Sequence, residues 1–301
     1  MENEISQVVR QTAEAINSFI GSSEFIAYPS NGLPDKGRII QITEQLRSVM
    51  FPGYFDAPST QNNAYAAGYK LARIGDELQT QAYMAFCLNN DAEKAKELAK
   101  NAVTEFIRRL PETQKLLETD TQALYNGDPA AESPVDVIFS YPGLFAITVY
   151  RLAHVLYILN VPLIPRMMTE YAHSQTGIDI NAGATIGSYF FIDHGTGVVI
   201  GETTVIGDYV KLYQGVTLGA LSTRKGHMLS GVKRHPTIGN RVTVYAGASI
   251  LGGETVIGDD CLIGSNAFVT GSVPANTKVS ITSPELTFRE NKPDIWEVAN
   301  D

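Results

Sequence analysis

From Ile180 to Val269 a branched aliphatic residue returns every sixth position, often with glycine after it. The rows are Ile180, Ile186, Ile192, Val198, then Ile200, Ile206, Leu212, Leu218, and, after a break, Ile238, Val244, Ile250 and Leu251, Ile257, Ile263, Val269. A period of six fits neither the 3.6 of a helix nor the two-residue alternation of a strand. It matches a hexapeptide β-helix, in which three short strands make one triangular coil and the aliphatic side chains stack inward. Coils of this kind wind left-handed, against the usual crossover preference. At about 18 residues per coil, the span without its break makes about four coils. So short a stack leaves large side faces, which association around a threefold axis would cover.

Ahead of the ladder the spacing is helical. Ile5, Val8, Val9, Ala13, Ile16 and Phe19 predict a helix over 1–27, and further helices are expected at about 36–50, 62–89 and 91–110, the last capped by Asn90-Asp91 and ended by Pro111. Another is expected over 112–126, before the turn Gly127-Asp128-Pro129-Ala130, and 141–171 is apolar and helical with a break at Pro162 and Pro165. The fold class is therefore α + β. An α-helical N-terminal domain (1–173) precedes a left-handed parallel β-helix (174–283) carrying a loop at 219–236, and 284–301 form a polar tail.

Composition narrows the functional classes. A net charge of -9 argues against a general nucleic-acid or membrane-surface binder, which needs a basic face. No apolar run approaches the roughly 18 residues that span a bilayer, and the N-terminal MENEISQVVR does not read as a signal peptide. A cytoplasmic protein is expected. Cys87 and Cys261 read as small buried thiols.

The chemistry is expected where the ladder slips. The first slip lies between Val198 and Ile200, just after Asp193-His194-Gly195-Thr196-Gly197. An Asp-His pair among glycines at an irregularity can project into a groove between neighbouring subunits. Asp179, fifteen residues before His194 and close to one coil's length away, can lie beside the imidazole. A carboxylate accepting one ring N–H fixes the tautomer and raises the basicity of the other nitrogen, which makes a general base for an alcohol. The second anomaly, 219–236, carries Arg224, Lys225, His227, Lys233, Arg234 and His235 in an acidic chain. Such a loop suits an anionic ligand.

These segments resemble serine O-acetyltransferases. The resemblance rests on Ile178-Asp179-Ile180, on Ile192-Asp193-His194-Gly195-Thr196-Gly197 continuing to Thr203, on Gln214-Gly215-Val216-Thr217-Leu218-Gly219, on Arg234-His235-Pro236 and on Ala246-Gly247-Ala248-Ser249-Ile250-Leu251-Gly252, colinear over about 120–280. It implies acetyl transfer from acetyl-CoA to the hydroxyl of L-serine, for cysteine synthesis, without a metal. On that resemblance His194 is the general base and Asp179 orients it. Asp128 and Asp193 bind the serine ammonium, Arg234 binds its carboxylate, and His235 assists at the substrate or the tetrahedral intermediate. Backbone amides at Gly219 and Ala220 meet the thioester or pantetheine arm, and Ala246 lines the CoA channel. Gly219-Ala220 replaces the family's common Gly-Gly, and the loop after it is longer than usual. The resemblance also implies a homotrimer, which in many members pairs into a dimer of trimers. Many members end in an isoleucine that enters O-acetylserine sulfhydrylase; this chain ends in Asp301, so that complex is not expected by that route.

Other readings are a hexapeptide acyltransferase for homoserine, a sugar hydroxyl or succinyl-CoA, and a γ-type carbonic anhydrase, which needs three histidine ligands in the coil walls. A purely structural β-helix is the non-enzymatic alternative, distinguished by activity after replacement of His194.

Overall fold

The structure, a computed structural model, describes residues 3–23, 25–26, 32–55, 64–222, 226 and 231–282. Among the described residues seven helices come first: α1 (Glu4–Ser22), α2 (Lys36–Met50), α3 (Ala64–Phe86), α4 (Ala92–Gly127), α5 (Pro134–Ser140), α6 (Pro142–Ile158) and α7 (Ile164–Thr176). Their starts follow local chemistry. Asp35, Asp91 and Ser133 each accept a hydrogen bond from an otherwise orphaned N–H in the first turn of α2, α4 and α5. α5, not foreseen in the sequence, begins with Pro134 straight after its serine cap.

The expected break at Pro111 is corrected by α4, which runs through it as one helix. Proline removes one hydrogen bond to the previous turn. Phe106, Leu110, Thr113, Leu117 and Leu124 nevertheless form one buried stripe spanning Pro111, while the proline faces out. Burial of that stripe outweighs the missing bond.

Fourteen short strands follow among the described residues, β1 (Asp179–Ile180) to β14 (Lys278–Val279), in three parallel sheets that form a left-handed β-helix. One face orders β1-β4-β7-β10-β13, the second β2-β5-β8-β11 and the third β3-β6-β9-β12-β14. Ile180, Ile200, Leu218, Ile250 and Val269 align in register along the first face. Ile186, Ile206, Ile238 and Ile257 do so on the second, and Ile192, Leu212, Val244 and Ile263 on the third. All are buried, so the period of six is the spacing of the coil's interior. Leu251 is the exception among the ladder residues, for it is half-buried beside Gly219 while Ile250 points inward. β14 adds a strand beyond the last ladder position.

A buried ion pair fastens the helices to the first coil. Arg151 of α6 donates to both carboxylate oxygens of Asp120 on α4 at 3.0 Å, to the carbonyl of Ile186 at 2.6 Å and to that of Gly187 at 2.5 Å. Asp120 in turn accepts the N–H of Phe190 at 2.9 Å. At Gly127 the end of α4 presses on Phe191 so closely that a β-carbon would overlap the ring. Cys261 is buried, Cys87 half-buried, and both are free thiols. No single helix among the described residues is long and apolar enough to cross a membrane. The tail 284–301 and loop residues Arg224, Lys225 and His227 lie outside the described residues.

Candidate active site

The expected residues gather at two corners of the triangular coil. At the corner entering the first face, the lowest coil places six residues, Asp193–Val198, between β3 and β4, where the next places four, Tyr213–Val216, between β6 and β7. The slip in the ladder is this longer turn. It bulges at His194, a non-glycine residue with φ 57°, followed by Gly195 at φ 62° and Gly197 at φ 80°. The same left-handed backbone recurs at other coil turns, among them Tyr209, Arg241, Asp260 and Asn266, so what sets this turn apart is its two extra residues. The His194 side chain is 70% exposed, with Nε2 3.4 Å from an Asp193 oxygen; the other Asp193 oxygen accepts the His194 N–H at 2.8 Å.

Asp128, the C-cap of α4, faces the same bulge. Its carboxylate accepts the hydroxyl of Tyr141 at 2.5 Å and the N–H of Ala130 at 2.8 Å. Those bonds, with His194 nearby, hold its pKa below the usual carboxylate range, and the same bond pushes the Tyr141 phenol up. Tyr213 is also pushed up, chiefly by burial and then by Asp193. Its ring stacks on Tyr245 at 5.4 Å, and Ala246 follows in the turn above, beside Gln214. Asp128, Asp193, His194 and Ala246 therefore share one corner.

Asp179 lies one strand below this turn, where the N–H of Gly197 reaches the carbonyl of Gly177 at 2.8 Å. Among the described residues, no hydrogen bond or ion pair joins it to His194. Its carboxylate instead groups with Glu170 and His173 of α7, the three contributing atoms that lie within 4.8 Å of one another. Such a set has the composition to hold a divalent cation. The i,i+3 pair Glu170 and His173, immediately before Asp179, was the available signal for it.

At the opposite edge of the first face lie Gly219, Ala220, Arg234 and His235. Ala220 and Arg234 line a cavity of about 550 Å³ with Ser222, Gly252 and Thr255. Arg234 pairs with Glu202, which also accepts the Tyr157 hydroxyl at 3.1 Å. His235 is 7% exposed and packs on Gly201, where a β-carbon would overlap the ring. Burial first, and then Arg234, pulls its pKa down to about 4. Tyr141, Glu202, Thr203 and Tyr213 had no role in the sequence reading; folding brings them against the candidate residues. No hydrogen bond or ion pair joins the two corners among the described residues.

No protein-family model matches the chain. It is 40% identical over 293 residues to a plasmid-borne serine acetyltransferase of Synechococcus elongatus, covering 93% of this chain and 90% of that protein. Serine acetyltransferases of Synechocystis sp. and Mycobacterium tuberculosis are each 49% identical, over 136 and 133 residues, which span 52% and 56% of their lengths. Among solved structures, isoform 3 of Entamoeba histolytica serine acetyltransferase, in complex with cysteine, superposes with a TM-score of 0.74 at 33% identity, covering 95% of this chain and 96% of that one. The Neisseria gonorrhoeae enzyme in complex with serine gives 0.54 at 25% identity, covering 81% and 95%. With a relative this similar over nearly its whole length and the same fold in the solved structures, the chain belongs to the serine acetyltransferase family and is an acyltransferase.

Proposed function

We propose that the chain transfers the acetyl group of acetyl-CoA to the hydroxyl of L-serine, giving O-acetyl-L-serine, with His194 as general base. Its main support is the His194 bulge, which presents an exposed imidazole beside two carboxylates, Asp128 and Asp193. The carboxylates suit the serine ammonium. His194 takes the hydroxyl proton as the oxygen attacks the thioester carbonyl, a C–O bond forms, and collapse of the oxyanion breaks the C–S bond and releases the CoA thiol. No acyl-enzyme is needed once both substrates are positioned. Asp179, one strand below the bulge, orients His194 in this reading. Gly219, Ala220 and Ala246 border the path of the pantetheine arm.

The two corners belong to one site in a homotrimer, where the His194 corner of one chain meets the Arg234 corner of its neighbour across the threefold groove. Acetyl-CoA use and two free thiols accord with a cytoplasmic setting.

A thiol-release assay pairing acetyl-CoA or succinyl-CoA with serine or homoserine tests the assignment. Turnover is expected for acetyl-CoA with serine; turnover of homoserine with none for serine would remove it. His194→Ala is expected to lower kcat by about two orders of magnitude or more with folding intact. Unchanged activity would defeat the mechanism.

A further inference from the structure

Three side chains of metal-ligating type meet where α7 passes into β1. Glu170 and His173 stand one turn apart on α7, and Asp179 opens β1 two residues after Gly177, whose left-handed backbone ends the helix. One donor atom from each lies within 4.8 Å of the other two. Arg166, a turn earlier, pairs with Oε1 of Glu170 and leaves Oε2 3.5 Å from Nδ1 of His173. That separation is long for a hydrogen bond. It suits two ligands of one ion, because zinc bonds of about 2.0–2.1 Å at the tetrahedral angle hold their donor atoms about 3.4 Å apart.

The electrostatics favour a cation at the same place. Glu170 stands in the penultimate turn of α7 and Asp179 just past its end, so two carboxylates lie near the negative pole of the helix, which attracts cations and repels anions. Arg166 answers only the first. The Asp179 carboxylate has no hydrogen bond or ion pair among the described residues. One imidazole with two carboxylates suits zinc and suits magnesium poorly, since magnesium prefers oxygen ligands in a strict octahedron. Three protein ligands leave a fourth position for water.

We propose that Glu170, His173 and Asp179 form an inhibitory zinc site, whose occupation holds Asp179 on the ion and withholds it from His194. The proposal rests on the serine reading above, in which Asp179 orients the base, and adds control by a divalent cation to it. Asp179 lies one strand below the His194 turn, so a single carboxylate serves two partners in alternation. With the carboxylate on zinc, the His194 imidazole loses its orienting acceptor and the basicity that goes with it.

Calorimetry on the untagged, full-length, metal-free protein tests the site, with zinc as the probe and magnesium as the control. Wild type is expected to bind one zinc per chain and no magnesium, and His173→Ala to bind zinc about tenfold more weakly or worse. Kinetics test the inhibition, followed by loss of the thioester absorbance because zinc also binds free thiols. Zinc is expected to lower wild-type kcat about tenfold or more, with KM for serine little changed. His173→Ala should match wild type without zinc and ignore the metal. Glu170→Gln should behave likewise, and it decides the matter if His173→Ala does not fold. No zinc binding, binding undiminished in both variants, equal inhibition of wild type and variants, or binding without inhibition each overturns the proposal. A protein that binds zinc through these residues yet turns over no serine defeats the serine reading instead, and the calorimetry still decides the site.

Discussion

Tyr141 shows how much one hydroxyl can set at this site. Its bond to Asp128 is charge-assisted, and such bonds are shorter and stronger than neutral ones. Because the bond lowers the carboxyl pKa, Asp128 stays ionised further into acid and stays available to an ammonium group. Tyr141→Phe removes the donor, so the Asp128 pKa rises toward its ordinary value. The acidic limb of the kcat/KM profile is then expected to move to higher pH, with KM for serine up roughly fivefold at neutral pH. A pH profile unchanged from wild type would show that Asp128 does not need this partner. Asp128, Asp193 and His194 were legible in the sequence because they sit in a turn and a slip that interrupt regular patterns. Tyr141 and Thr203 were not. Their partners lie 13 and 32 residues away, and only folding brings those pairs to bonding distance.

At the scale of elements, the period of six was readable because every ladder position but Leu251 has the same duty, to fill the inside of a coil. The long helix α4 was not readable in that way. A proline is a strong local signal, whereas the buried stripe from Phe106 to Leu124 that overrides it becomes visible only against neighbouring helices. Pro111 is exposed within the helix, so Pro111→Ala restores an N–H without opening a cavity. It is expected to stabilise the protein by about 1–3 kcal/mol, seen as a higher urea midpoint with an unchanged slope. A lower midpoint would mean that the proline fits a bend that the packing requires. The short α5 was missed for the opposite reason: a single serine cap and one proline are too little signal against seven residues of helix.

For the whole molecule, the separation of the two corners makes the proposed trimer testable without a structure of it. His194→Ala and Arg234→Ala chains are each expected to be nearly inactive alone. Denatured and refolded together in equal amounts, they should regain roughly a quarter of wild-type activity, since that share of grooves receives an intact residue from each side. No recovery on mixing would place both corners in the service of a single chain. The ion pair between Asp120 and Arg151 adds a different constraint. It is buried and fully hydrogen-bonded, and it ties α4 and α6 to the backbone of the first coil. Asp128, carried by the helices, and His194, carried by the coil, are thus joined through this anchor. In the proposed trimer, substrates would then enter and leave lengthwise along the groove between chains, with exchange paced by its walls rather than by a hinge.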